Sequence, residues 1–334
     1  MRGPAKPQVA AGSTDLQRAI ELATLIESAG DAVLGVAPRG VITSWSDGAE
    51  QLFGYSHAEV IGEPVAMLAP RDRHAEVAAI GRAITAGERI KRLETERLTK
   101  DGRLLRVEVS ISPIRGEDGE FAGAVAIMRD CTKLRETLAE LHSARLEDLR
   151  RLALVGEYRD DDTNRHTERV ARTAALLAGN LGLDIETTET IKRAAPLHDV
   201  GKIGIPDEIL LKPDKLTAEE FELIKTHTVI GGRILCESNF PILKVATEIA
   251  FTHHERWDGN GYPAGLKGEE IPIAGRIVAL ADAFDAMTHA RPYKSAFSVE
   301  HAVAEIQRCS GAQFDPRIVE AFMTLDHHPL VDAA

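Results

Sequence analysis

Cysteine is scarce in this chain. Of 334 residues only Cys131, Cys236 and Cys309 carry a thiol, and they stand far apart, without the paired spacing of a disulfide framework or a thiolate metal site. A basic excess is lacking too. Lys and Arg number 40 against 52 Asp and Glu, a net charge of −12, which argues against a general grip on duplex nucleic acid. No apolar run approaches the roughly 18 residues of a membrane helix, and the opening MRGPAKPQVAAGSTD has no apolar core of the signal-peptide kind. The expectation is a cytoplasmic protein that engages neither membrane nor duplex DNA. Any anionic ligand must then be held by metal ions or by a few placed cations. Hydrophobic residues at 44% and charged residues at 28% suit a globular chain long enough for two domains.

Histidine is present in quantity and unevenly spread: nine of the twelve follow residue 160, with His253 and His254 adjacent. The two halves therefore read differently.

From Leu16 to Thr132 the pattern is that of a small α+β domain. Ala32–Val36 and Val41–Trp45 are β-prone runs joined by the turn Pro38-Arg39-Gly40. A short helix is expected from Gly48 to Phe53, stopped by Gly54, and a longer one from Ala75 to Ala86. Two strands flank Lys100-Asp101-Gly102. In the second, Leu105, Val107, Val109 and Ile111 alternate with Arg106, Glu108, Ser110 and Ser112, so one face is buried and one wet. After the turn Glu117-Asp118-Gly119 a buried strand runs from Ala122 to Met128. Five strands with helices clustered between the second and third make an antiparallel sheet with a pocket under the helices. The run from Ile42 through Trp45, Ser46, Asp47 and Phe53 to Tyr55, the Lys100-Asp101-Gly102 turn, Ser112-Pro113-Ile114 and the closing Arg129-Asp130-Cys131-Thr132 resemble a PAS sensor domain. Ser46 stands where that family usually has Asn, and Cys131 where it prefers Ile or Val. The resemblance implies sensing or dimerisation and leaves the ligand open. His74 sits where haem-binding PAS domains place their proximal histidine, so haem is one candidate cofactor. A solvent-facing polar residue at a helix start is the other reading.

Leu134, Leu138, Leu141, Leu146, Leu149 and Leu152 lie among charges with neither Pro nor Gly between them, which predicts one helix over residues 134–155. The first three are spaced as a heptad, and the step to Leu146 shifts the seam. Such a stripe needs a partner, either a second copy in a parallel homodimer or its own chain.

Beyond Gly156 the pattern is almost wholly helical. His166 opens an amphipathic helix, Val170 to Leu181. His198-Asp199 are expected near the end of a helix starting about Thr187, and His227 on a helix entered through the Thr217/Glu220 capping box. His253-His254 are expected on another helix, and Asp282 on one from Ala274 to Met287. Imidazoles and carboxylates suit borderline divalent ions such as iron and manganese. Adjacent His and Asp on a helix would point about 100° apart, which suits two ions with the carboxylate between them. Two ions a few ångströms apart can hold both oxygens of a phosphodiester.

The surrounding residues carry a second resemblance. His198-Asp199 through Lys202 to Asp207, His253-His254 through Gly259 and Gly261 to Pro263, and Asp282 to Asp285 are similar to an HD-GYP domain, as are Arg291 to Lys294 and Phe314-Asp315-Pro316. The similarity implies a cyclic di-GMP phosphodiesterase with two or three metal ions, cutting its substrate to pGpG and, with three ions, on to GMP. It implies His166, His198, Asp199, His227, His253, His254 and Asp282 as metal ligands, with Asp199 the bridge. Asp162 stands where a further ligand, usually Glu, would be. Lys202 is implied beside the scissile phosphate, and Arg291 and Lys294 as contacts to substrate phosphate or guanine. The loop with Gly261, Tyr262 and Pro263 is expected at the mouth of the site and is associated in that family with diguanylate cyclase partners. Tyr262 is either a core-facing anchor or a substrate contact. A non-catalytic cyclic di-GMP receptor and an HD-type hydrolase of another nucleotide are the competing classes.

The expected organisation is a tail at residues 1–15, the PAS-like domain at 16–132, a linker helix at 133–156, an all-α HD-GYP bundle at 157–326, and a tail at 327–334.

Overall fold

The computed structural model of the chain describes residues 30–157, 165–289 and 296–331. It divides into two compact units, Met1–Leu141 and His142–Ala334. Among the described residues no helix is long and apolar enough to cross a membrane.

The first unit is built on a five-stranded antiparallel sheet. Its strands are β1 (Ala32–Val36), β2 (Ile42–Trp45), β3 (Ile90–Leu98), β4 (Leu104–Arg115) and β5 (Phe121–Asp130), in the spatial order β2-β1-β5-β4-β3. Helices α1 (Asp47–Phe53), α2 (His57–Val60) and α3 (His74–Thr85) fall between the second and third strands, as the sequence pattern suggested. Ser46 explains how α1 starts. Its hydroxyl accepts from the Ala49 N–H at 3.2 Å, capping the helix, and from the Val33 N–H at 2.9 Å, tying it to the sheet. Gly54, at φ 77°, ends α1 in a left-handed turn. In β4 the alternation is realised: Leu105, Val107 and Val109 are buried with Leu34, Phe53, Leu68 and Met128, while Arg106 faces water. A cavity of about 750 Å³ lies between α3 and the sheet.

A single helix, α4 (Thr132–Glu157), follows. Leu134, Leu138 and Leu141 stay exposed on it, whereas Leu146, Leu149, Leu152 and Ala153 pack into the core of the second unit.

That second unit is all helical: α5 (His166–Asn180), α6 (Ile185–Ala194), α7 (Asp207–Leu210), α8 (Ala218–Leu235), α9 (Pro241–Thr252), α10 (Ile273–Thr288), α11 (Val299–Arg308), α12 (Pro316–Met323) and α13 (His328–Val331). Leu177, Ile191, Ile249, Ile277, Phe284 and Phe322 form the middle of its core. The capping box of α8 is made as expected: the Thr217 hydroxyl accepts from the Glu220 N–H and the Glu220 carboxylate accepts from the Thr217 N–H.

Two helical expectations are corrected. His198 and Asp199 do not lie on a regular helix. α6 ends at Ala194, Ala195–Leu197 form a 3-10 turn, and Asp199 caps another, Val200–Gly204. Pro196 has no N–H to return to the carbonyl four residues back, so the α-helical ladder cannot continue through it. His253 and His254 likewise lie past the end of α9: the His253 N–H closes the last turn on the Ile249 carbonyl, and the chain then folds back. In both places the pair lies at a helix end and not within a regular helix.

Candidate metal centre

The turn Val200–Gly204 is pressed against α8. A side chain on Gly201 would overlap the His227 carbonyl and the Gly231 backbone, so only glycine allows this approach. The clamp brings Asp199 beside His227, and α9, packed along α8, delivers His253 and His254 to the same place.

The imidazoles are oriented by their outer nitrogens. Nδ1 of His198 lies 2.9 Å from the Ala195 carbonyl, Nδ1 of His227 2.6 Å from the Ile224 carbonyl, and Nδ1 of His253 3.0 Å from the Ile249 carbonyl. A carbonyl only accepts, so each Nδ1 carries a proton. For His198 burial opposes charge, but the Asp199 and Asp282 carboxylates prevail and raise its pKa, so its Nε2 proton must leave before that nitrogen can ligate. All three Nε2 atoms face Asp199. Its Oδ1 is 3.2 Å from His227 Nε2 and 3.5 Å from His253 Nε2, and its Oδ2 is 3.3 Å from His198 Nε2. His166, the first residue of α5, closes the other side, with Nε2 3.3 Å from Asp282 Oδ1, which in turn is 3.9 Å from His198 Nε2.

The donor atoms fall into two groups, each within 4.8 Å: Asp199 with His227, His253 and His254, and Asp199 with His166 and His198. Asp199 belongs to both. Among the described residues, His198 Nε2 and Asp199 Oδ1 are buried without a hydrogen-bond partner, a cost of about 1–3 kcal/mol each unless something binds there. A pair of cations bridged by Asp199 fits that deficit, and N/O donors of this kind suit borderline divalent ions.

Protonation follows the same logic. Burial drives His253 and His254 below the ordinary imidazole value, keeping them neutral and able to ligate. Burial works the other way on Asp199, but Lys202, whose Nζ lies 2.8 Å from Oδ2, and His198 overcome it and hold the carboxyl well below the usual range. Asp282 is likewise held low against burial by His166 and His198. For His166, burial opposes charge and the carboxylates of Asp282 and Asp285 prevail, pushing its pKa up to about 10. That proton must leave if His166 is to ligate.

Residues that the sequence reading left without a role complete the shell. Asp285, buried, lies 2.6 Å from His166 Nδ1 and accepts from Arg169 Nε and Nη2 at 2.5 and 2.9 Å. The i,i+3 pairs His166/Arg169 and Asp282/Asp285 were the available signal, since residues so spaced share a helix face. Glu255, also buried, accepts the N–H groups of Ala264 (2.7 Å), Gly265 (3.1 Å) and Leu266 (3.1 Å). It thereby ties down the loop after His254. In that loop Gly259 has φ 84°, Gly261 lies against the Glu255–Arg256 backbone, and the Tyr262–Pro263 bond is cis. Tyr262 stacks on His254, ring centroids 4.8 Å apart, with Lys225 over its ring at 5.5 Å. Tyr262 is half-buried against His254.

Thus His166, His198, Asp199, Lys202, His227, His253, His254 and Asp282 come together, with Tyr262 at their edge. Asp162, Arg291 and Lys294 lie outside the described residues. His74 belongs to the first unit, where its Nε2 is 3.1 Å from the Ala69 carbonyl. That nitrogen donates a proton there and offers no lone pair to haem iron.

Comparison with known families agrees with this geometry. Residues 156–318 match the HD domain family and residues 20–131 the PAS fold. The chain carries an HD-domain region with a PAS-fold region ahead of it. The two resemblances read from the sequence therefore hold, the fold class with them. Over 191 residues the HD region is 54% identical to a cyclic di-GMP phosphodiesterase of Thermotoga maritima, covering 57% of this chain and 52% of that protein. It is 47% identical to the cyclic di-GMP phosphodiesterase response regulator RpfG of Xanthomonas campestris pv. campestris, covering 57% and 50%. A 3′3′-cGAMP-specific phosphodiesterase 2 of Vibrio cholerae is 44% identical, covering 58% and 35%. The chain spans about half the length of the first of these relatives.

Proposed function

We propose that this PAS–HD protein is a metal-dependent phosphodiesterase that opens cyclic di-GMP. The observation that carries the reading is Asp199, one carboxylate common to two clusters of imidazole donors, with Nε2 of His198, His227 and His253 turned toward it. Two such positions suit in-line displacement at a phosphodiester. We assign His227, His253 and His254 to one cation and His166, His198 and Asp282 to the other, with Asp199 shared; iron or manganese matches the donors. When bound, these ions supply Lewis-acid charge to the phosphate and lower the pKa of a water.

The chain's own groups do the rest. The Nδ1-to-carbonyl hydrogen bonds hold three rings in one tautomer and one orientation, so no reorganisation is needed when substrate arrives. Lys202, oriented by its 2.8 Å contact with Asp199, is the donor to a non-bridging phosphate oxygen or to the departing 3′ oxygen. Tyr262, stacked on His254, is an aromatic surface at the edge of the site for a guanine. Arg291 and Lys294 are assigned to substrate and Asp162 to a third cation, from the HD-GYP resemblance alone. The linear product is pGpG; a third ion would extend the cut to GMP.

Three wider assignments belong to the same proposal: a homodimer through the PAS domain and the exposed seam Leu134, Leu138 and Leu141, regulation by the PAS domain, and a diguanylate cyclase partner at the 261–263 loop. With its acidic balance and unpaired cysteines, the chain is assigned to the cytoplasm. A second substrate, cyclic GMP-AMP, is kept because one relative is named for it.

The test supplies Fe²⁺ or Mn²⁺ anaerobically and measures hydrolysis of cyclic di-GMP and cyclic GMP-AMP by chromatography. The native chain should convert cyclic di-GMP to pGpG, and the His198→Ala/Asp199→Ala variant should lose both metal and turnover while keeping its helical spectrum. Hydrolysis at the native rate by that variant would overturn the assignment. Faster cutting of cyclic GMP-AMP would move the substrate and leave the centre standing.

A further inference from the structure

The cavity under α3 is large enough for a small molecule: about 750 Å³, within the usual 300–1,000 Å³ of ligand pockets. Its walls are mainly apolar, with Val36, Ile80, Ile84, Ile111, Phe121 and Met128 among them.

Five polar residues line the cavity. They are Arg39, His74, Arg82, Thr85 and Arg97; among the described lining residues there is no carboxylate and no carboxamide. A guanidinium has donors only, and His74 has already committed Nε2 to the Ala69 carbonyl. In a chain of net charge −12, three arginines line the cavity and no acid does, although Arg97 is paired with Glu76 behind the wall. Arg97 is the inner one, only 4% exposed, held from behind by Thr95 (3.0 Å), Glu76 (3.4 Å) and the Glu96 carbonyl (2.7 Å). Arg39 and Arg82 are exposed, and so stand at the mouth.

This lining excludes some occupants. No cysteine lines the cavity, and Cys131 lies 3.2 Å from the Arg106 carbonyl outside it, so thiol addition to a bound chromophore has no nucleophile. A heterocycle with a mixed donor–acceptor edge finds no amide side chain to read it. What the lining complements is a long apolar body ending in an anionic oxygen group, which guanidinium binds in bidentate fashion.

We propose that this cavity binds an amphipathic carboxylate, a medium-chain acyl acid with its tail against the sheet and its head group on an arginine. No part of this depends on the metal centre. The ligand is the input to the PAS domain and is chemically unrelated to a cyclic dinucleotide.

Calorimetric titration of the full chain tests it, with dodecanoic acid, decanoic acid, dodecanol and dodecyl phosphate as probes. Dodecanoic acid should bind, decanoic acid about 16-fold more weakly at roughly fourfold per methylene, and dodecanol at least tenfold more weakly for want of charge. Arg97→Met and Arg82→Gln each test a head-group contact; the exposed Arg82 can change without disturbing the fold. Gly81→Leu tests the volume. Gly81 lines the cavity on α3, no atom lies within 4 Å of where its Cβ would be, and leucine favours a helix over glycine. Gly81→Leu and at least one arginine variant should weaken dodecanoic acid tenfold or more. Binding should persist in His198→Ala/Asp199→Ala, whatever becomes of hydrolysis. Three results would each overturn the proposal: no binding of dodecanoic acid, equal binding of dodecanol, or dodecanoic acid affinity unmoved by all three cavity variants. Tighter binding of dodecyl phosphate than of dodecanoic acid would overturn the carboxylate as the head group.

Discussion

Asp285 offers the sharpest test of how the centre is held, because it is not itself a proposed ligand and yet orients one, His166. Its carboxylate, 5% exposed, lies against His166 Nδ1 and takes two hydrogen bonds from Arg169, itself 6% exposed. Truncation by Asp285→Ala leaves the Arg169 guanidinium buried without that partner, and breaking a buried pair from one side costs about 3–5 kcal/mol. For a unit of this size each kcal/mol moves the midpoint by about 2–4 °C, so metal-stripped protein should melt roughly 6–20 °C lower. His166 also loses its anchor, and loss of such an outer partner typically weakens metal affinity about 10–100-fold. The double variant Arg169→Met/Asp285→Ala separates the two effects. Removing both charges should return most of the melting temperature, while His166 stays unanchored and the affinity stays low. Scanning calorimetry of stripped protein and a chelator competition with Mn²⁺ read the two quantities. If the single variant melts within about 2 °C of the native chain and binds Mn²⁺ equally well, the carboxylate does not hold the site together.

Other consequences follow from single contacts. In metal-stripped protein His166, raised to about 10 from an unfolded value near 6.5, contributes stability that is full below pH 6.5 and is lost as pH climbs from there through 10. Calorimetry should show that loss, and His166→Gln should remove it; an unchanged alkaline slope in the variant would refute the assignment. His253 and His254, depressed by burial, act with the opposite sign, withdrawing stability as pH falls below 6.5. Glu255→Gln removes a charged acceptor from three backbone N–H groups, costing about 2 kcal/mol or more. Protease cleavage within residues 258–268 should accelerate and turnover drop while bound metal is retained, and loss of metal would show that the loop is part of the ligand shell. Gly156, near the end of α4, lies where a Cβ would be 2.9 Å from Val200 Cα and 3.5 Å from the Asp199 carbonyl. Gly156→Val should displace that turn and lower turnover at least tenfold, and native kinetics would mean that the turn yields freely.

The elements most legible in the sequence are those whose side chains must choose between water and core. Strand β4 declares itself through Leu105, Val107 and Val109 because one face of the sheet is wet, and α1 through its stop at Gly54. The leucine seam was legible in finer detail still. Its phase break at Leu146 coincides with a change of surroundings: Leu134, Leu138 and Leu141 stay exposed, while Leu146, Leu149 and Leu152 pack into the helical core. A helix whose surroundings change along its length cannot keep one stripe. The irregular turns were harder. Pro196 was in plain view, but the apolar residues on either side of it continue a helical period, and periodicity carries no information about a local switch to 3-10 geometry.

The metal centre divides in the same way. Which residues converge could be read from the sequence, because so many histidines and aspartates at once, each in helical sequence beside a carboxylate or another histidine, are poorly explained as surface or core. How they are aimed could not. The partners that fix His198, His227 and His253 are the carbonyls of Ala195, Ile224 and Ile249, and a carbonyl belongs to every residue, so no side-chain pattern reports it. Only where the anchor is itself a side chain, as with Asp285 on His166, does a trace survive in the spacing. It follows that conservative changes at Ala195, Ile224 or Ile249 should leave the centre intact. A proline introduced four residues after one of the helical histidines, which would strip that histidine's own carbonyl from the ladder and kink the helix, should disturb it more than any swap of neighbouring side chains.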